Sequence, residues 1–228
     1  MIKYYGPISN IYDFLAKVIK PNSKVLELGP GLIPFPNATH FCGWDDDESK
    51  KLPNYKVVNF SEDTFPYEDK EFDFVYARHV LEDLRNPIHC IKEMSRVAKA
   101  GYVETPSPLI EMSRNAENYD NPEEGRKWRG YQHHYSFVWN NGVLNFLHKY
   151  PIVEFIDINE DVITKQLEQP IFWNTYYLWK DKIEYKIHEH PKDFLKPSNQ
   201  SYPDLIVKAI SEAGNNAETF YKLLEKNK

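Results

Sequence analysis

The apolar run Val25-Leu26-Glu27-Leu28 passes directly into Gly29-Pro30-Gly31, and no other stretch of the chain narrows its fold as far. A short apolar segment bounded by a turn signal reads as a buried strand. Two glycines one residue apart leave a backbone that a nucleotide-sized ligand can approach closely. The residues around this turn keep a rhythm of strand and helix. After Asn10, Ile11, Phe14, Leu15, Val18 and Ile19 share one helical face until Pro21-Asn22 stops the run. Further strands are expected at 40–44, 55–60, 72–76 and 101–105, with a helix over 87–98 opened by the cap Asn86-Pro87. Strands alternating with helices in this way predict an α/β fold with a doubly wound, mostly parallel sheet, its ligand beyond the carboxyl ends of the strands.

From 106 to 132 that rhythm is lost. An acidic run (Glu117, Asp120, Glu123, Glu124) gives way to a basic one (Arg126, Lys127, Arg129), as in a loop or lid. Beyond it, 139–150 reads as a helix, 152–158 as extended, and 171–179 with 183–188 as a hairpin turning at Lys180-Asp181. A terminal helix carries Ile206, Ala209, Ile210 and Ala213 and is broken at Asn215-Asn216.

At 228 residues the chain suits one elaborated domain. A net charge of −6 gives no general attraction for nucleic acid or anionic membranes. No segment has the apolar length to span a bilayer, and the first seven residues lack the apolar core of a secretory signal, so a cytoplasmic protein is expected. Cys42 and Cys90 have no metal-like spacing and are expected to be reduced and packed.

Two cofactor classes use a glycine turn after the first strand. Dinucleotide enzymes place a third glycine where this chain has Pro34, and Pro34 and Pro36 spoil the helix that would face a pyrophosphate. A ligand without a pyrophosphate fits better, and S-adenosylmethionine is such a ligand. A nicotinamide-dependent oxidoreductase is the weaker alternative.

Several segments in order carry a family resemblance: Val25-Leu-Glu-Leu-Gly-Pro-Gly31, Gly43-Trp-Asp45, Phe65-Pro-Tyr67 with Phe72-Asp-Phe-Val-Tyr76, Arg78-His-Val-Leu-Glu-Asp83, and Gly101-Tyr-Val-Glu-Thr-Pro106. Together they resemble class I S-adenosylmethionine-dependent methyltransferases, in particular the group with a methyltransferase type 11 domain. The resemblance implies a Rossmann-like, seven-stranded sheet, here with a C-terminal hairpin and helix extension. It implies a single domain over 1–228, with a cofactor-binding core at 1–105, a lid or acceptor loop at 106–138 and a C-terminal part at 139–228. Two departures stand out: the segment between Gly31 and Asp45 is short, and Asp83 stands where the family often has histidine.

The cofactor site implied by the resemblance uses Glu27, Gly29, Pro30 and Gly31, with Glu27 beneath the methionine portion. It also takes in Ala77 and Arg78 at the end of the fourth strand. Asp45, and next Asp46, can accept both ribose hydroxyls, as a carboxylate at a strand end does well. Phe60, Ser61 and Glu62 are expected around the adenine.

Methyl transfer from a sulfonium is an in-line displacement that alignment and a dry site can promote. A hydroxyl acceptor must also lose a proton, for which a histidine is suited. His133, His134 and His79 are the candidates. For the His133-His134 pair a general base or acceptor contact is preferred to a metal, since no third ligand stands at a telling distance and HExxH is absent. Trp128, Tyr131, Tyr135 and Trp139 gather around Arg126, Lys127 and Arg129, which suits a sugar-containing or anionic small molecule. Trp139 by itself fits a packing role. Trp173, Tyr177 and Trp179 on one strand face fit a core or a homodimer contact. The expectation is methyl transfer to a small-molecule or glycan hydroxyl, with a non-catalytic S-adenosylmethionine-binding partner subunit as the alternative.

Overall fold

The computed structural model describes residues 8, 10–31, 33–114, 116, 126–189 and 201–227. Helix α1 (Ile11–Val18) precedes β1 (Val25–Leu28), β2 (His40–Gly43), β3 (Tyr55–Val57) and β4 (Phe74–Arg78). Then come α2 (Pro87–Val97), β5 (Ala100–Pro106) and the single turn α3 (Pro108–Glu111). The second half holds β6 (Ser136–Asn140), β7 (Leu144–His148), α4 (Glu160–Leu167), β8 (Asn174–Lys180), β9 (Tyr185–His188) and α5 (Tyr202–Glu225).

Six strands form the main sheet in the order β3-β2-β1-β4-β5-β8, against the seven expected. Every pairing is parallel except β5 with β8. The order reverses between β1 and β4, which opens a crevice at their carboxyl ends. Period-two alternation sorts the side chains between two cores. Leu26, Leu28, Val75, Ala77 and Val103 pack beneath α2, which buries Cys90, Ile91, Met94 and Val97. Val25, Tyr76, Tyr102 and Tyr176 face α1 and α5 on the other side. The Asn86 side chain accepts the His89 amide at 3.3 Å and Pro87 opens α2, so this helix starts where its cap predicts. Cys42 and Cys90 are buried free thiols. No helix among the described residues is long and apolar enough to cross a membrane.

The C-terminal half departs from the sequence reading. Residues 139–150 are not a helix: β6 and β7 form an antiparallel pair. The turn is Asn140-Asn141-Gly142, with Gly142 at φ +106° and its amide held by the Asn140 side chain at 2.8 Å. Residues 151–155 form a 3-10 helix rather than an extended segment. The expected hairpin at 171–188 also fails, because β8 pairs with β5 while β9 leaves to pair with β7 in parallel. Helix α5 runs unbroken through Asn215-Asn216. Its stripe Ile206, Ala209, Ala213, Ala217, Phe220 and Leu224 is buried, and Phe220 stacks on Tyr176 at 4.6 Å, so packing outweighs the weak helix preference of two asparagines.

Trp139, Tyr177 and Trp179 are buried in these cores. His188 stacks on Trp139 at 4.8 Å. The acidic run 117–124 and His190 lie outside the described residues.

Candidate functional site

Two strand ends meet at the crevice without side chains between them. Gly29 has φ +63°, donates its amide to Cys42 O at 2.9 Å, and would bring a Cβ within 2.9 Å of Val80 Cγ2. A Cβ on Gly43 would lie 2.8 Å from the Tyr55 hydroxyl and 3.6 Å from Gly29 Cα. A cleft of about 160 Å³ opens here, with Gly29, Pro30, Trp44, Asp46, Phe60, His79 and Asp83 in its wall. A Cβ on Gly31 would meet nothing within 4 Å, so the second glycine borders open space. The described residues between β1 and β2 hold no helix. Phe35 from that loop stacks on Tyr76 at 4.2 Å instead.

The two candidate ribose acids separate. Asp45 is exposed and ion-paired with Lys50, outside the cleft wall. Asp46 is in the wall and accepts the amides of Glu48 at 3.1 Å and Ser49 at 2.8 Å. Hydrogen bonds from the Ser49 hydroxyl and amide hold its carboxyl below the usual range. Phe60 is fully buried against the cleft, whereas Ser61 and Glu62 lie outside its wall in a turn organised by Asn59. Glu27 is buried on β1 and accepts the Phe35 amide at 2.8 Å. Burial pushes its carboxyl up to about 7. Ala77 is buried opposite Leu28, and the Arg78 Nε donates to the buried Glu104 at 2.9 Å.

A second centre adjoins the cleft at Asp83. Ser107 caps α3, accepting the Ile110 amide at 3.2 Å, and this turn presents the buried Glu111. His134 Nδ1 donates to Glu111 Oε1 at 2.6 Å, and Lys149 from the end of β7 bonds Glu111 Oε2. Burial raises the Glu111 carboxyl, but Lys149 and His134 outweigh it and hold it well below the usual range. Asp83 Oδ1 lies 3.4 Å from His134 Nε2 and 3.6 Å from His133 Nε2. His79, at φ +54°, lies in the cleft wall with Nδ1 3.4 Å from the buried Glu82. Burial, then Arg78, pushes its imidazole well below the usual range. On the far side of His134 a pocket of about 210 Å³ is walled by Trp128, Tyr131, Gln132, Lys149, Tyr150 and Pro151, among others.

A family model described as a methyltransferase domain matches residues 3–148, more than half of the chain. The chain belongs to this family. The chain is also similar to several solved structures. The PH0226 protein of Pyrococcus horikoshii is 19% identical, with 57% of this chain and 68% of that one covered and a TM-score of 0.42. An S-adenosylmethionine-dependent methyltransferase from Mesorhizobium loti is 11% identical over 64% of this chain and 68% of that one, with a TM-score of 0.36. One from Thermotoga maritima is 17% identical over 43% and 54%, with a TM-score of 0.35. The chain spans about half the length of several such chains, 47% and 52% in two of them. No curated protein matches its sequence.

The family implies S-adenosylmethionine as the cofactor, and the residues of the cleft fit it. Backbone at Gly29 and Gly43 makes a cradle that side chains would fill, Asp46 supplies an ionised acceptor, and Phe60 supplies an apolar ring. Cations of the 126–129 segment do not all face this site. Arg129 is buried, donating to Met112 O at 2.6 Å and pairing with Glu160, so it anchors its segment and is not offered to an anionic ligand. Arg126 lies 3.8 Å from the Tyr131 ring centre. Glu111, Lys149 and the contact of Asp83 with the histidines were missed from the sequence. The only local signal was the cap Ser107-Pro108, since the partners come from distant segments.

Proposed function

We propose that this methyltransferase transfers a methyl group from S-adenosylmethionine to a hydroxyl of a small-molecule or glycan acceptor. The carrying observation is that the walls of the cleft and of the aromatic pocket adjoin: Asp83 Oδ1, in the cleft, stands 3.4 Å from Nε2 of His134, in the pocket. When bound, S-adenosylmethionine supplies a methyl group on a positively charged sulfur. Gly29, Pro30 and Gly43 leave room for its body, and Asp46 accepts the ribose hydroxyls. Glu27, beneath the turn, orders the amino group. Phe60 and Trp44 exclude water around the base.

On the acceptor side, Tyr131, Trp128 and Tyr150 offer flat rings to a sugar or ring-bearing substrate. Glu111 fixes the orientation of the His134 ring, so that Nε2 is aimed at the boundary with the cleft. A hydroxyl placed there would give its proton to Nε2 as its oxygen bonded the methyl carbon and the carbon–sulfur bond broke, leaving a neutral thioether. His79 and His133 flank that position.

Calorimetry with S-adenosylhomocysteine tests the cofactor half: the wild type is expected to bind, and absence of binding would sink the reading. Transfer of labelled methyl from S-adenosylmethionine to small molecules of a cell extract tests the acceptor half. Label appearing only in protein or nucleic acid excludes it.

A further inference from the structure

The boundary between cleft and pocket holds a group of side chains that proton transfer alone does not explain. Asp83 Oδ1, His133 Nε2 and His134 Nε2 come from two distant segments, and one ligand atom from each lies within 4.8 Å of the others. Asp83 Oδ1 is buried and has no hydrogen-bond partner among the described residues, although both imidazole nitrogens face it. An oxygen taken out of water with nothing donating to it is costly. A cation between the three atoms removes that cost.

We propose that Asp83, His133 and His134 bind a divalent transition-metal ion at the boundary between the cofactor cleft and the aromatic pocket. Ligands about 2.1 Å from a tetrahedral ion stand about 3.4 Å apart. The separations from Asp83 Oδ1, 3.4 and 3.6 Å, already have this size. Two imidazoles and one carboxylate suit the manganese-to-zinc series rather than magnesium or calcium, which prefer all-oxygen sites. Three protein ligands leave a position open for water or substrate, as in a reactive rather than a purely structural site. The His133 side chain is 68% exposed, so that opening can be reached from solvent.

The surroundings of His134 match the same reading. A histidine that ligates through Nε2 commonly donates its Nδ1–H to a carboxylate, which fixes the tautomer and strengthens the ligand. His134 Nδ1 makes this bond to Glu111 at 2.6 Å, and Lys149 holds Glu111 in turn. Glu82, one residue before Asp83, is a second buried carboxylate without a hydrogen bond among the described residues. The catalytic consequence rests on the proposed methyl transfer. With the ion bound, Nε2 of His134 would be its ligand and no longer the base, so the acceptor hydroxyl would occupy the open position and release its proton to water. Its oxygen would then form the new C–O bond as the C–S bond breaks, leaving a neutral thioether.

The test titrates chelator-treated full chain with Co²⁺, read by calorimetry and by the visible absorption of bound cobalt. One ion per chain is expected. Asp83→Asn should abolish uptake, and His133→Gln, at an exposed position that leaves the fold intact, should weaken it by at least the roughly 10- to 100-fold that loss of an outer-shell partner costs. No stoichiometric uptake by the wild type, or uptake by His133→Gln and Asp83→Asn as tight as the wild type's, overturns the site. S-adenosylhomocysteine binding is measured on the same metal-free protein. Binding of that ligand without cobalt uptake overturns the metal site and leaves the methyl-transfer reading. Cobalt uptake without it upholds the site and removes only the catalytic consequence.

Discussion

The cleft at Gly29 and the centre around Glu111 meet at Asp83, yet opposite means hold them in place. The cleft is a matter of backbone: Gly29 and Gly43 bring the ends of β1 and β2 together, and the contributing segments follow one another along the chain. The centre is a matter of side chains from distant segments: buried charged hydrogen bonds join Glu111 of α3 to His134 and to Lys149 after β7, and Asp83 from the turn after β4 lies 3.4 Å from His134. A space made by missing side chains tolerates exchange of the polar residues at its rim. A buried ion network does not, because removing one member strands the others in a poor solvent.

The largest effect should therefore come from the centre. Glu111→Ala leaves Lys149 and His134 without their buried partner and should cost about 3–5 kcal/mol in urea unfolding. A loss under about 1 kcal/mol would erase the contrast between the two regions.

Next comes Glu27, the one buried acid of the cleft side lying on β1. Its carboxyl is near 7 in the folded chain and near 4.5 when free. The folded state thus keeps its proton to higher pH than the unfolded state does. Stability from this group is full below about pH 4.5 and is lost as pH rises to about 7, by about 3 kcal/mol in all. Glu27→Gln keeps the acceptor for the Phe35 amide and removes the titration. The difference in unfolding free energy between variant and wild type should therefore grow between pH 4.5 and 7 and then level off.

Smaller again is Gly29→Ala, where a left-handed backbone and a methyl 2.9 Å from Val80 should cost about 1–2 kcal/mol and weaken S-adenosylhomocysteine binding. If stability falls while binding is unchanged, the glycine serves the turn alone. The smallest effect distinguishes two neighbours. Asp46→Ala should weaken that binding on the order of tenfold, by loss of a charged acceptor, while Asp45→Ala leaves it unchanged. The reverse result would mean that Asp45 leaves Lys50 when the ligand arrives.

The same contrast runs through what could be read in advance. Strands β1, β2, β4 and β5 and helix α2 announce themselves through apolar runs, a cap and a first-turn proline. In the second half, local preference and final structure part. Residues 139–150 carry enough aliphatic and aromatic residues to suggest a helix, and the decisive signal was the Asn-Asn-Gly turn. Asn215-Asn216 argued for a break that the buried stripe of α5 overrides. At the site, Asp46 lines the cleft and Asp45 pairs with Lys50, and a solvated turn gives no sequence signal of which acid faces inward.

By itself, the sequence determined the doubly wound sheet and the side-chain-free turn at Gly29. These depend on near neighbours, through steric limits on the backbone and the period of apolar residues. Only the tertiary structure decided that Asp83 faces His133 and His134 and that Glu111 stands between His134 and Lys149. Those contacts join segments far apart in the chain, and their energies come from burial and charge, which exist only once the chain has closed around them.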